Sequence, residues 1–176
     1  MKSITRAQAF FSATALALIG APMLREFAEA AAAAPGDLQT LDAGIELERA
    51  GIAEYDAAAK TGLRKRRILA DALAFRADHV AHRDSLIGAV RAGGGVPTTK
   101  TAHLPVPTLA DESDILRYAK SVEEKAASTY LSVIPDFQDR NLAQVAAAIL
   151  GVETTHVALL DEALHEFPAY PGGFVK

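Results

Sequence analysis

Six side chains with carboxylate or imidazole groups interrupt apolar patterns along the sequence, and both groups are common metal ligands. Charged groups are rarely buried unless they are paired or bind a metal. Each of the six lies between apolar positions near the middle of a predicted helix, so all of them could meet at one level of a helical bundle. They are Glu48, His79, His82, Glu123, Glu153 and His156.

The spacing of these residues indicates a diverged internal repeat. Glu48 precedes His82 by 34 residues, and Glu123 precedes His156 by 33 residues. Two of the motifs are pairs separated by three positions, His79 with His82 and Glu153 with His156. Because residues at i and i+3 lie on one face of a helix, both members of such a pair can contact a common centre.

Other polar side chains near these motifs have different expected positions. Tyr55 and Tyr130 follow the two lone glutamates by seven residues, and we expect them in the core with their hydroxyls near the polar layer. Asp78 lies off the apolar stripe and is expected to be exposed. His103 and His165 are expected at the surface, away from any metal site.

The elements that must position these residues are four helices. Apolar and small residues recur at intervals of three and four in four segments, which is typical of helices that face a bundle core. Asp37 is predicted as the N-cap of the first helix, and Gly62 is predicted to end it. The four segments are approximately residues 38–59, 63–91, 112–134 and 138–167.

The connection between the second and third helices is long. Residues 92–111 contain three consecutive glycines and three prolines without a helical period, so they cannot form a helix. About twenty residues can span about 60 Å, whereas a helix of about 25 residues is about 37 Å long. The sequence therefore predicts an all-α fold: an antiparallel four-helix bundle of two helical hairpins joined by a long crossover.

This pattern resembles the ferritin-like superfamily, whose di-iron members use Glu, Glu-x-x-His, Glu, Glu-x-x-His on four helices. The resemblance covers about residues 37–167. His79 departs from it, since the family has a bridging glutamate at that position. The run His82-Arg83-Asp84 and the alanine-rich helices are most similar to small bacterial ferritin-like domains, which are often exported. The matching positions are Glu48, His82, Glu123, Glu153 and His156.

The resemblance implies a non-haem metal-binding protein with iron or manganese, and redox chemistry with oxygen or peroxide, or iron oxidation. Zinc would also suit carboxylate and imidazole ligands. It implies that Glu48 and His82 serve one metal, Glu123 and His156 the other, and Glu153 both. With a histidine at position 79, we expect one ion held well and a second held weakly, hence one or two ions per chain.

The alternative hypothesis is a protein that binds no metal. The glutamates could pair with the core histidines, and the protein would then be a structural or stress-associated exported bundle without catalysis. A homo-oligomer is compatible with the resemblance, but no residues specify an interface. The net charge of −4 without a basic stripe argues against nucleic acid as a partner. The absence of cysteine excludes disulfides and thiolate metal ligands.

The N-terminal segment, residues 1–34, has the order of a secretory signal: basic residues, an apolar run and then alanines. We expect export from the cytoplasm, with the mature chain beginning near residues 31–36. The apolar run is too short for a membrane span, so we expect no stable span after processing. The predicted organisation is a targeting segment at 1–34, the bundle at 35–168 and a C-terminal tail at 169–176.

Overall fold

Four helices pack as an antiparallel bundle in the computed structural model, which describes residues 33–60, 63, 65–167 and 169. The described residues contain no strand, so the predicted all-α class and four-helix architecture are confirmed. A short 3₁₀ turn that contains Pro135 follows the third helix. The helices are α1 (Pro35–Lys60), α2 (Arg66–Ala92), α3 (Glu112–Val133) and α4 (Arg140–Leu164), and the 3₁₀ turn is Ile134–Asp136.

The predicted crossover is also present. Residues 93–111 have no helix or strand and run beside α1, where the backbone N–H of Ala102 donates to the carbonyl of Glu46 at 2.9 Å. Oε1 of Glu112, at the start of α3, lies 3.1 Å from Nζ of Lys65, just before α2. The crossover therefore ends at the opposite end of the bundle from where it begins. This path makes α3 antiparallel to α1, which the arrangement of the polar residues requires.

Asp37 is not the N-cap of α1, so that prediction is wrong. The helix begins earlier, at Pro35, whose fixed φ and missing N–H suit the first turn. Asp37 lies inside this turn and is 1% exposed. Its carboxylate accepts hydrogen bonds from the backbone N–H groups of Gln138 and Asp139, at 2.9 and 3.0 Å. Asp37 therefore joins the start of α1 to the start of α4.

Two other helix ends differ from the prediction. Residue 63 is not helical and α2 begins at Arg66, while α4 ends at Leu164 rather than at Phe167. His165 ends α4 by adopting a left-handed conformation, with φ of 59°. The predicted terminator Gly62 and the targeting segment up to residue 32 lie outside the described residues, as does most of the C-terminal tail.

The apolar core consists of two clusters that lie above and below the polar residues. One cluster surrounds the beginnings of α1 and α4, and the other surrounds the end of α1 and the beginnings of α2 and α3. Most of the buried apolar residues that recur with the helical period belong to one of these clusters. The first includes Leu41, Ile45, Leu86, Leu142 and Ile149, and the second includes Tyr55, Ile68, Phe75, Leu116 and Leu160.

Helix α4 is the most apolar of the four. Among the residues that the structure describes, it alone is long and apolar enough to cross a membrane, with a mean hydropathy of 1.4 over its most apolar window. Core helices of bundles share these features. In this structure α4 packs against α3 and carries the buried residues Glu153 and His156 on its inner face.

Replacing Asp37 with alanine should destabilise the protein. Two backbone N–H groups would lose a charged acceptor, so we expect the free energy of unfolding to fall by about 1–3 kcal/mol. Asp84→Ala is the matched control, because the Asp84 side chain is exposed and its loss should change stability by less than about 0.5 kcal/mol. Urea denaturation measures both. Equal stability of the two variants would show that Asp37 does not connect α1 to α4.

Candidate metal centre

All six predicted residues meet at the middle of the bundle. Each is at most 8% exposed, and Glu123 and Glu153 are fully buried. Their ligand atoms form two overlapping groups, and within each group these atoms lie within 4.8 Å of one another. Both groups contain His79 and Glu153. The groups are Glu48, His79, His82 and Glu153, and His79, Glu123, Glu153 and His156.

His79 lies between the two lone glutamates. Its Nδ1 is 2.7 Å from Oε2 of Glu48, and its Nε2 is 3.3 Å from Oε1 of Glu123. One ring nitrogen therefore faces the carboxylate of α1 and the other faces the carboxylate of α3. His79 occupies the centre of the layer, where the family pattern has a carboxylate.

Glu153 occupies the matching central position on α4. Nδ1 of His82 lies 3.0 Å from its Oε1, and Nδ1 of His156 lies 3.3 Å from its Oε2, but neither pair is oriented as a hydrogen bond. Among the described residues, both oxygens of Glu153 and Nδ1 of His82 are thus buried without a hydrogen-bond partner. Such groups are costly to bury. A cation at this point would satisfy them, so the donor set fits a metal ion.

Two tyrosines are buried with their hydroxyls at the polar layer, as expected, and each also reaches the opposite hairpin. The hydroxyl of Tyr55 on α1 donates to Glu123 on α3, and the hydroxyl of Tyr130 on α3 donates to Glu48 on α1. Both tyrosines are 3% exposed. Each lone glutamate is thus oriented by the opposite hairpin, which indicates a pseudo-twofold axis through the layer.

The apolar surroundings follow the same symmetry. Each residue of α1 matches the residue 75 positions later in α3, as Glu48 matches Glu123. Each residue of α2 matches the residue 74 positions later in α4, as His82 matches His156. Two clefts, one on each side of the layer, have lining residues related by these separations. Matching pairs from the two clefts are Tyr55 and Tyr130, Leu116 and Leu41, and Leu160 and Leu86.

Asp78 is a member of the site that the sequence analysis missed. We expected it to be exposed, but its side chain is 24% exposed and its Oδ2 lies 3.1 Å from Nε2 of His156. Phe75 stacks on the other side of this imidazole, with ring centroids 4.0 Å apart. Asp78 lies four residues before His82, and this helical spacing could have indicated its position. His103 and His165 are exposed, as expected.

The buried charges shift one another's ionisation. Burial alone would raise the pKa of Glu48, but the hydrogen bond from His79 and the nearby imidazole of His82 outweigh it and lower the pKa to about 2. Burial opposes the charged form of His82, but Glu153 and Glu48 raise its pKa to about 9. Burial and the neighbouring Glu123 raise the pKa of Glu153. Without a cation, protons on the imidazoles therefore balance the carboxylates.

The chain is similar to a known protein family and to several solved structures. A sequence model described as the ferritin-like domain matches residues 36–166, which include all six residues of the centre. No curated protein matches the chain significantly.

Solved structures resemble the chain in fold. A conserved hypothetical protein, rv2844, from Mycobacterium tuberculosis has 19% identity and a TM-score of 0.66, covering 76% of this chain and 93% of its own. A ferritin-like, diiron-carboxylate protein from Bacillus anthracis has 21% identity and a TM-score of 0.62, covering 81% and 97%. BfrA from M. tuberculosis has 17% identity and a TM-score of 0.68, covering 75% and 84%. These structures support the bundle fold.

Metal binding should release protons and strengthen as the pH rises. The raised pKa of His82, about 9, means that a proton occupies a nitrogen that a metal would need. Each competing proton changes affinity by up to about tenfold per pH unit, so Zn²⁺ should bind at least about tenfold more tightly at about pH 8 than at about pH 6. Titration against a chelator measures this, and an affinity independent of pH would contradict it.

Proposed function

The chain belongs to the ferritin-like domain family, and we propose that it is a non-haem metal-binding protein whose ions lie among the six buried side chains. The observation that carries the proposal is Glu153, a fully buried carboxylate without a hydrogen bond in the described structure. Nδ1 of His82 approaches one of its oxygens, and Nδ1 of His156 approaches the other. A carboxylate in this position can serve two ions.

The resemblance to ferritin-like proteins favours iron or manganese, with zinc as a further possibility. Three carboxylates and three imidazoles, without thiolates, suit these borderline divalent ions. The similar fold of the B. anthracis diiron-carboxylate protein supports iron. In the proposed assignment, Glu48 and His82 hold one ion, while Glu123 and His156 hold the other.

A bound iron or manganese ion would supply redox chemistry with oxygen or peroxide, including iron oxidation. The chain's own residues prepare the site for such an ion. The hydroxyl of Tyr55 donates to Oε1 of Glu123 and that of Tyr130 donates to Oε1 of Glu48, so that Oε2 of each lone glutamate is left to face a histidine. Asp78 orients His156 through the nitrogen that faces away from Glu153, which is how outer carboxylates commonly fix a ligating histidine.

The alternative function is a structural bundle that holds no metal. The ion pairs between histidines and lone glutamates favour it, because protonated imidazoles could neutralise the layer. Within the described part of the chain, neither oxygen of Glu153 has a hydrogen-bond partner, which argues against it. Metal analysis of protein purified from its native compartment distinguishes the two functions.

Removing Glu153 should weaken metal binding more than any other single change. In Glu153→Ala, both ion positions lose the shared carboxylate, so affinity for Mn²⁺ or Fe²⁺ should fall by more than about tenfold. Glu124→Ala is the matched control, since Glu124 is exposed beside Glu123 and its removal should leave affinity unchanged. Equilibrium dialysis with elemental analysis measures both. Equal binding by Glu153→Ala and wild type would reject the metalloprotein and favour the structural bundle.

We also propose that the protein is exported and processed. The basic, apolar and alanine-rich order of residues 1–34 supports this location. Mass spectrometry of the extracytoplasmic fraction should find a chain that begins near residues 31–36. Full-length protein confined to the cytoplasm would contradict this proposal and leave the metal site unaffected. Oligomer formation, compatible with the family, is measurable by light scattering on the same sample.

A further inference from the structure

Gly51 lies directly beneath the ring of His79. A Cβ placed on Gly51 would stand 2.9 Å from Cε1 of His79 and 3.0 Å from each ring nitrogen, which is closer than side chains tolerate. Glycine in the middle of a helix costs about 1 kcal/mol relative to alanine. The position of the His79 ring therefore depends on a residue that is otherwise unfavourable in α1.

The second hairpin has the opposite combination at the matching positions. Gly51 corresponds to Ala126, at a separation of 75, and His79 corresponds to Glu153, at a separation of 74. Alanine thus occurs where the partner is the slimmer carboxylate, and glycine occurs where the partner is the imidazole ring. At these two corresponding positions, the smaller residue of α1 thus lies beneath the larger ring of α2.

The orientation of His79 has a consequence for the number of ions. A neutral imidazole offers one lone pair, and its other nitrogen carries a hydrogen. Nδ1 of His79 faces Glu48 in one group of ligands, and Nε2 faces Glu123 in the other. When one nitrogen binds an ion, the other carries the hydrogen and cannot ligate an ion in the opposite group, so a neutral His79 can serve only one of the two groups at a time.

We propose that Gly51 is a positioning residue that seats His79 between the two half-sites, and that His79 thereby makes them compete, so that the chain binds one divalent ion tightly. This inference rests on the proposed metal-binding function. A carboxylate at position 79 would remove the competition, because it can share its two oxygens between two ions.

The test is a Zn²⁺ titration against a chelator, with Co²⁺ absorption spectra recorded on the same variants. Wild type should bind one ion, with a second at least about tenfold weaker. Gly51→Ala should displace the ring, weaken the tight ion at least about tenfold and alter the Co²⁺ spectrum. His79→Glu and the double variant Gly51→Ala/His79→Glu should both bind two ions. Gly151→Ala is the control, since a Cβ there meets no atom within 4 Å.

The outcomes separate this inference from the proposed function. Two ions of equal affinity in wild type, or an unchanged affinity and Co²⁺ spectrum in Gly51→Ala, would overturn the inference and leave metal binding intact. Absence of binding in every variant would overturn both. If Gly51→Ala does not fold, recovery of folding in the double variant supports the steric coupling, and failure to recover it contradicts the coupling.

Discussion

Three carboxylates and three imidazoles buried in the centre of the bundle are the constraint on which the structure depends. Each charge removed from water costs several kcal/mol unless an opposite charge or a proton compensates it. The histidines partly compensate Glu48 and Glu123, but Glu153 receives no hydrogen bond in the described structure. The fold therefore holds a group of atoms whose stability requires either protons or a cation.

The topology follows from bringing these groups to one level. The long crossover reverses the second hairpin, so that α3 runs antiparallel to α1 and a pseudo-twofold axis passes through the polar layer. This symmetry allows Tyr55 and Tyr130 to reach the glutamates of the opposite hairpins. Apolar clusters on both sides limit access of water and strengthen electrostatic interactions within the layer. The symmetry is broken within the polar layer, because α2 has His79 at the position where α4 has Glu153.

The sequence predicted the helices and the six central residues for one physical reason. Apolar side chains recur with the helical period, and a charged residue that interrupts this period must be buried with a compensating partner. Contacts between distant segments have no such local signal. Asp37 resembles a local N-cap, yet it binds the backbone before α4. The role of Gly51 appears only when the ring of His79 is in place. The observed helix ends differ from the predicted ones because the geometry of turns and caps, rather than the apolar period, sets where a helix begins and ends.

Metal binding at this layer is the central claim, and anomalous X-ray diffraction tests it most directly. Crystals of protein purified from its native compartment would be measured on both sides of the iron and manganese absorption edges. We predict an anomalous peak between His79 and Glu153, about 2.0–2.2 Å from their ligand atoms if the ion binds both. Absence of a peak, with the imidazoles hydrogen-bonded to all three carboxylates, would contradict the account and identify the layer as a metal-free polar core.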